Sequence, residues 1–139
     1  MSLFVLDTDI LTLFQRKDPA VVAHVAAHAP SDIAIAVITV EEQLSGWYTQ
    51  LRKAKDNVKL AWAYFRLAAN VRFLARVQIL DFDRAAIERY EEFKRSGLKV
   101  RKLDLQIAAT ALHHNATVVT RNLRDFKLVP GLGVEDWST

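Results

Sequence analysis

The sequence predicts an α/β fold, a central parallel sheet with helices on both faces, and three observations carry that prediction. Short, mostly apolar runs at Leu3–Leu6, Ile33–Val37, Val77–Leu80 and Thr117–Thr120 read as strands, the first two buried on both faces. The segments between them carry apolar residues at helical spacing, and strands that alternate with helices are joined by crossovers that leave the strands parallel. No linker, repeat or low-complexity tract breaks the 139 residues, a length suited to one domain with a full core (residues 1–139).

Each element has its own signal. Leu3 to Leu6 forms the first strand and ends at Asp7-Thr8-Asp9, with a helix beginning near Ile10. Asp18-Pro19 supplies an N-cap and a proline at the first helical position for a helix over Ala20 to Ala27, which Pro30 ends. Ile33 to Val37 is the second strand. Thr39 with Glu42 three residues later has the form of a capping box at the next helix start. From about residue 40 to 76 the periodicity is helical, read as a helical hairpin turning at Asp56-Asn57. Val77 to Leu80 is a third strand, Asp83 caps a helix to about Arg95, and Gly97 stops it. Asp104 starts a further helix with Leu105, Ala108, Ala109 and Leu112 on one face. Thr117 to Thr120 is a fourth strand, and the Gly131-Leu132-Gly133 turn leads to a short fifth at Val134.

Composition bounds the function. With 51% apolar and 25% charged residues the balance is that of a globular protein, and the absence of cysteine removes disulfides and thiolate metal sites. The longest apolar run, Ile33 to Val40, is far short of the roughly 20 residues that span a bilayer. A cytoplasmic protein without a membrane partner is expected. The net charge of +3 is unevenly spread: between Gly46 and Arg76 seven cations face the single acid Asp56, and Lys94 to Lys102 holds five cations and no acid. Such a surface suits nucleic acid, although exposed helices often carry the same residues. Trp47, Tyr48, Trp62, Tyr64 and Phe65 lie among these cations, where stacking on bases competes with an ordinary place in the core.

The acids form the more telling pattern. Asp7 and Asp9 follow the first strand, Glu42 and Asp104 lie at helix starts, and Asn122 and Asp125 follow the strand that ends at Thr120. Each acid alone reads as a cap, because helix amino ends favour carboxylates. Convergence of several on the carboxyl edge of one parallel sheet, where such folds bind ligands, is not required by capping and points to a bound cation.

Four segments resemble the motifs of PIN-domain ribonucleases, in particular the VapC-type toxins of bacterial toxin-antitoxin pairs: Leu6 to Leu11, Ile38 to Gly46, Asp104 to Ala111 and Val119 to Phe126. The ending, Pro130 to Trp137, is similar as well, so the resemblance covers the whole chain. It implies a PIN-like three-layer sandwich, Mg²⁺ or Mn²⁺ held by carboxylates, metal-dependent endoribonuclease activity, homodimers, and a small VapB-like antitoxin that blocks the site. On matching positions the cluster is Asp7, Glu42 and Asp104, completed by Asn122 or Asp125. This chain departs from the pattern at Asp9, where the family commonly has Asn, and at Gln43, where it commonly has Leu. Asp9 is either a further ligand or a brace for its loop.

The donor types suit the chemistry, since Mg²⁺ takes oxygen ligands and activates a water for in-line attack on phosphorus. Thr120, at a strand end, is a secondary catalytic candidate, whereas His113 and His114 at a helix carboxyl end are poor general bases. Leu44, Trp47, Tyr48 and Leu51 are candidates for an antitoxin groove, with core packing of the hairpin as the competing reading. Two rivals stand beside the nuclease. Asp7-Thr8-Asp9 also resembles the first motif of haloacid dehalogenase-like phosphatases, but no late Gly-Asp or Asp-Asp pair follows. The other rival is a non-catalytic PIN fold that binds RNA or an antitoxin.

Overall fold

The computed structural model describes residues 2–139. In chain order the elements are β1 (Phe4–Leu6), α1 (Thr8–Gln15), α2 (Pro19–Ala26), β2 (Ile33–Ala36), α3 (Val37–Lys53), α4 (Asn57–Leu74), β3 (Gln78–Leu80), α5 (Arg84–Arg95), α6 (Lys102–His113), β4 (Thr117–Val119), α7 (Leu123–Phe126) and β5 (Val134–Glu135), with a 3₁₀ turn at Pro30–Asp32. All five strands pair in parallel, in the order β3-β2-β1-β4-β5.

The period-two geometry of a strand divides the core between the faces of the sheet. Val5, Ala34 and Val118 point to one side, against Tyr90 of α5, Ile107 and Ala111 of α6 and Phe126 of α7. Phe4, Leu6, Ile33, Ile35 and Val119 point to the other, against Ile10 and Leu11 of α1, Val21 of α2 and Leu74 of α4. These two apolar layers make the three-layer sandwich expected from the sequence. Trp137, 1% exposed, closes the second layer by stacking on His24 and His28 with ring centroids at 5.4 and 4.7 Å. Those imidazoles serve packing.

The expected caps at Asp18 and Asp83 are present, and Asp56, expected only at the hairpin turn, caps α4 as well, each accepting from the backbone amide three residues on. The expected capping box is not. Helix α3 begins at Val37, two residues before Thr39, with Ala36 at its N-cap and no side-chain capping bond. Ala36 ends β2 and leads directly into the helix, so Thr39 lies inside the first turn rather than before it. Helix α6 likewise starts at Lys102, which puts Asp104 in its first turn. Strand β3 lies at the edge of the sheet, with Gln78 and Ile79 exposed. Helices α3 and α4 pack on each other across the short link at 54–56, with Trp47 edge-on to Trp62 at 5.6 Å between ring centroids. Helical spacing suggested that the hairpin aromatics belong mostly to the core, yet Tyr48, Trp62, Tyr64 and Phe65 are exposed. The faces of α3 and α4 that carry these four rings are left open to solvent.

Candidate functional site

Strand order reverses between β1 and β4, because the chain winds from β1 outward to β3 and then returns across the sheet to β4. The crevice at the carboxyl ends of two such strands is where ligands of open α/β sheets lie. Asp7 follows β1 there and Thr120 follows β4, and the Asp7 amide donates to the carbonyl of Val119 at 3.0 Å, tying the two strand ends together.

Asp7 is 5% exposed and caps α1, its Oδ1 accepting from the Ile10 amide at 2.9 Å. Burial raises its pKa from 3.8 to about 6; hydrogen bonds from the Thr120 hydroxyl and the Ile10 amide oppose that rise, and the charges of Asp9 and Asp104 add to it. A carboxylate held in this way is a group short of positive charge. Asp104 is also buried. Its Oδ2 accepts from Asn122 Nδ2 at 3.3 Å, and the same Nδ2 donates to Asp125 Oδ2 at 3.1 Å. Thr120 is wholly buried, and its hydroxyl accepts from the Asn122 amide at 2.8 Å, which shapes the turn that presents Asn122.

Glu42 reaches the same edge from the second turn of α3. Thr8 Oγ1 lies 2.6 Å from Glu42 Oε1 and 3.0 Å from Thr39 Oγ1, so the first turn of α1 is bonded to α3 at the crevice. The local reason is a polar triplet on facing helices: Thr8 stands between Asp7 and Asp9, and Thr39 and Glu42 are one turn apart. Asp9 belongs to a different set, with both its oxygens engaged by Arg121 at 2.6 and 3.0 Å.

Two residues of the site escape sequence reasoning. Thr8 lies inside the acidic motif, but its role becomes visible only when α3 is placed beside α1. Arg101 belongs to the basic run that suggested an RNA surface, and its guanidinium turns inward instead. It donates to Asp104 Oδ1 at 2.9 Å and lies 3.7 Å from Glu42 Oε2. Its charge is favoured first by the hydrogen bond to Asp104 and then, against a smaller desolvation cost, by the fields of Asp104, Glu42 and Asp7. His113 lies 3.2 Å from Asp83 Oδ2, in a separate pair.

Among the described residues no three His, Cys, Asp or Glu side chains already stand at ion-holding separation. Arg101 stands between Glu42 and Asp104, and Asp7 reaches the pair only through its field on that guanidinium and the charge of Asp104. The donor set fits a hard divalent ion on two counts. Every candidate ligand atom is oxygen, and the pKa rise at Asp7 has the charges of Asp9 and Asp104 among its causes, a repulsion that a cation at the crevice relieves. Among the described residues no helix is long and apolar enough to cross a membrane.

A five-stranded parallel α/β sandwich with carboxylates at its switch point defines a class of ligand-binding and catalytic domains. Comparison with known proteins makes the class specific: the PIN domain family matches residues 4–132. The chain belongs to the PIN domain family. It is 30% identical over 141 residues to the tRNA(fMet)-specific endonuclease VapC of Salmonella typhimurium, covering 99% of each chain. It is also 30% identical over 141 residues to ribonuclease VapC2 of Rickettsia felis, covering 97% of this chain and 98% of that one. The solved structure of DNA-bound VapBC from Salmonella typhimurium superposes with a TM-score of 0.77 at 29% identity, over 99% of each chain.

Proposed function

We propose that this protein is a metal-dependent endoribonuclease, the toxin of a VapBC-type pair, built as one PIN-like nuclease domain with the helical hairpin α3–α4 as an appended surface. The reading is supported by the charges of Asp104, Glu42 and Asp7 acting together on Arg101 beside the β1/β4 crevice, in a chain similar over nearly its full length to named VapC ribonucleases. Asp7, Glu42 and Asp104 are the proposed ligands of Mg²⁺ or Mn²⁺, with Asp125 as an outer acid and Asp9 as a brace. When bound, such an ion supplies a Lewis acid for the phosphate and acidifies a water.

The chain's own groups do the positioning. Thr8 fixes Glu42 through Oε1, and the Ile10 amide and Thr120 hydroxyl fix Asp7. Asn122 spends both its Nδ2 hydrogens on Asp104 and Asp125, which leaves its Oδ1 as an acceptor able to orient an attacking water. Burial of Asp7 and Asp104 keeps bulk water from screening their charge.

Two surfaces suit macromolecular partners. Arg52, Lys53 and Lys55 are exposed at the tip of the hairpin and suit the RNA backbone. A groove of about 860 Å³, lined by Phe14, Gln15, Trp47, Arg66, Asn70 and Phe73, suits an amphipathic helix of a VapB-like antitoxin. A homodimer belongs to the same reading. Incubation with RNA in Mg²⁺ or in EDTA tests the function, with the tRNA(fMet) named for the Salmonella relative as first substrate and p-nitrophenyl phosphate alongside. Shortened RNA in Mg²⁺ alone is the expected result. Release of nitrophenol without RNA cleavage moves the reading to a phosphatase, and retarded but intact RNA moves it to a binding module.

A further inference from the structure

The acid cluster already contains a cation of the protein's own. Arg101 lies three residues before Asp104, at the N-cap of α6, where it makes no side-chain capping bond. One guanidinium spans two elements, with Nη2 on Asp104 Oδ1 at 2.9 Å and Nη1 at 3.7 Å from Glu42 Oε2. The other oxygen of each carboxylate is held by a neutral donor, Glu42 Oε1 by Thr8 Oγ1 at 2.6 Å and Asp104 Oδ2 by Asn122 Nδ2 at 3.3 Å. Arg101 thus lies against the one oxygen of each carboxylate that no neutral donor holds, by a hydrogen bond at Asp104 and an ion-pair contact at Glu42. Of the other arginines near this edge, Arg121 is committed to Asp9, and Arg124, 93% exposed, lies 3.5 Å from Asp125 Oδ1 and not against Glu42 or Asp104.

We infer that Arg101 is a built-in counter-ion of the acid cluster, displaced from Glu42 Oε2 and Asp104 Oδ1 when a divalent ion binds and then free to hold a phosphate of the RNA at the same edge. The inference rests on the metal-dependent ribonuclease reading above. Guanidinium and a hard divalent ion meet the same electrostatic need, but they cannot both occupy the same oxygen lone pairs. The Arg101 side chain is 58% exposed and can swing into solvent, whereas the Asp104 carboxylate it leaves is 9% exposed and takes its compensating charge from the incoming ion. Once released, the planar fork presents paired donors that match a phosphate, and its short tether to Asp104 keeps it beside the reacting group. Arg101 is thus a positioning residue for substrate and a competitor for metal, roles opposite in sign for metal affinity to that of a permanent brace.

Calorimetric titration of Mn²⁺ into the full chain without RNA separates these roles, with Arg101→Gln and Arg101→Lys beside the wild type. Competition predicts that Arg101→Gln binds Mn²⁺ on the order of tenfold more tightly than wild type, with Arg101→Lys between the two. The melting temperature should also rise more on adding Mn²⁺ to the Gln variant than to wild type. At saturating Mn²⁺ the Gln variant should show a several-fold higher KM for RNA with a smaller change in kcat. Mn²⁺ affinity that is unchanged or weaker in Arg101→Gln overturns the counter-ion role, and an unchanged KM overturns the phosphate role, while the ribonuclease reading survives both results. If the Gln variant does not fold, tighter Mn²⁺ binding by Arg101→Lys supports the inference and unaltered binding overturns it. A wild-type protein that binds no Mn²⁺ and cleaves no RNA removes the metal reading and this inference with it.

Discussion

Arg121 grips Asp9 at two points, Nε to Oδ2 at 2.6 Å and Nη2 to Oδ1 at 3.0 Å, joining the first turn of α1 to the loop after β4. The pair bears on the charge balance around Asp7, since Asp9 is among the groups that raise its pKa. With both oxygens engaged, Asp9 is suited to bracing. Asp9→Asn should therefore lower metal-dependent RNA cleavage far less than Asp7→Asn does. Arg121→Ala should cause a small loss of stability that shrinks in high salt, because both side chains are about half exposed. Cleavage rates and denaturant midpoints at low and high salt check both outcomes. A loss of activity in Asp9→Asn as deep as that in Asp7→Asn makes Asp9 a ligand.

Asp7 predicts a pH signature of the metal-free protein. Its carboxyl is raised in the folded state from 3.8 to about 6, so the native protein holds that proton more tightly than the unfolded chain. The associated stability is fully present below about pH 3.8 and is lost as pH rises through about 6. A shift of this size corresponds to at most roughly 3 kcal/mol. Asn keeps the capping acceptor but cannot ionise, so Asp7→Asn should be more stable than wild type at pH 7.5 in EDTA, with the difference vanishing by about pH 4. Urea midpoints for both proteins across that range measure it. Equal stability at both pH values removes the charge strain assigned to Asp7.

The basic tip of the hairpin should act through phosphates. Arg52 and Lys53 lie in the last turn of α3 and Lys55 in the link, all exposed. Replacing the three by Ala should weaken RNA binding and flatten the plot of log affinity against log salt by about 2, at roughly 0.7 per phosphate contact on a single strand. An unaltered slope transfers the RNA path to another surface.

Trp47 is half-buried between its own helix and α4, edge-on to Trp62 and with Arg66 over its ring at 5.5 Å. It also lines the groove proposed for the antitoxin. Trp47→Ala should loosen the toxin-antitoxin complex by tenfold or more, a hot-spot loss of about 1.4 kcal/mol or above, while the variant alone retains its helical circular dichroism. An unfolded variant assigns Trp47 to the hairpin core instead.

Much of this fold is written in local signals. Asp18 and Asp83 announce their helices because an N-cap bond needs only the residues beside it, and Gly97, at φ 81°, marks a stop for the same reason. The strands were legible because Val5 and its neighbours are apolar on both faces. Thr39 and Glu42 have the spacing of a capping box, but β2 runs straight into α3, and tertiary contact with Thr8 takes both side chains. The acids were visible as a set, since each sits where a strand ends or a helix begins. The cation among them was not. Arg101 sits in a run of like charges, and nothing local distinguishes an arginine turned toward two carboxylates from one turned toward solvent.

The shared metal site is the central claim, and Asp104 is where it can be tested most directly, because this one side chain meets Arg101 and Asn122 and contributes to the field at Asp7. RNA cleavage in Mg²⁺ should be compared between wild type and Asp104→Asn, both shown to be folded by circular dichroism, with EDTA controls. Cleavage by wild type in Mg²⁺, none in EDTA, and a loss of at least about a thousandfold in the variant are expected if Asp104 holds the ion that stabilises the transition state. Full cleavage by Asp104→Asn, or by wild type in EDTA, contradicts the account.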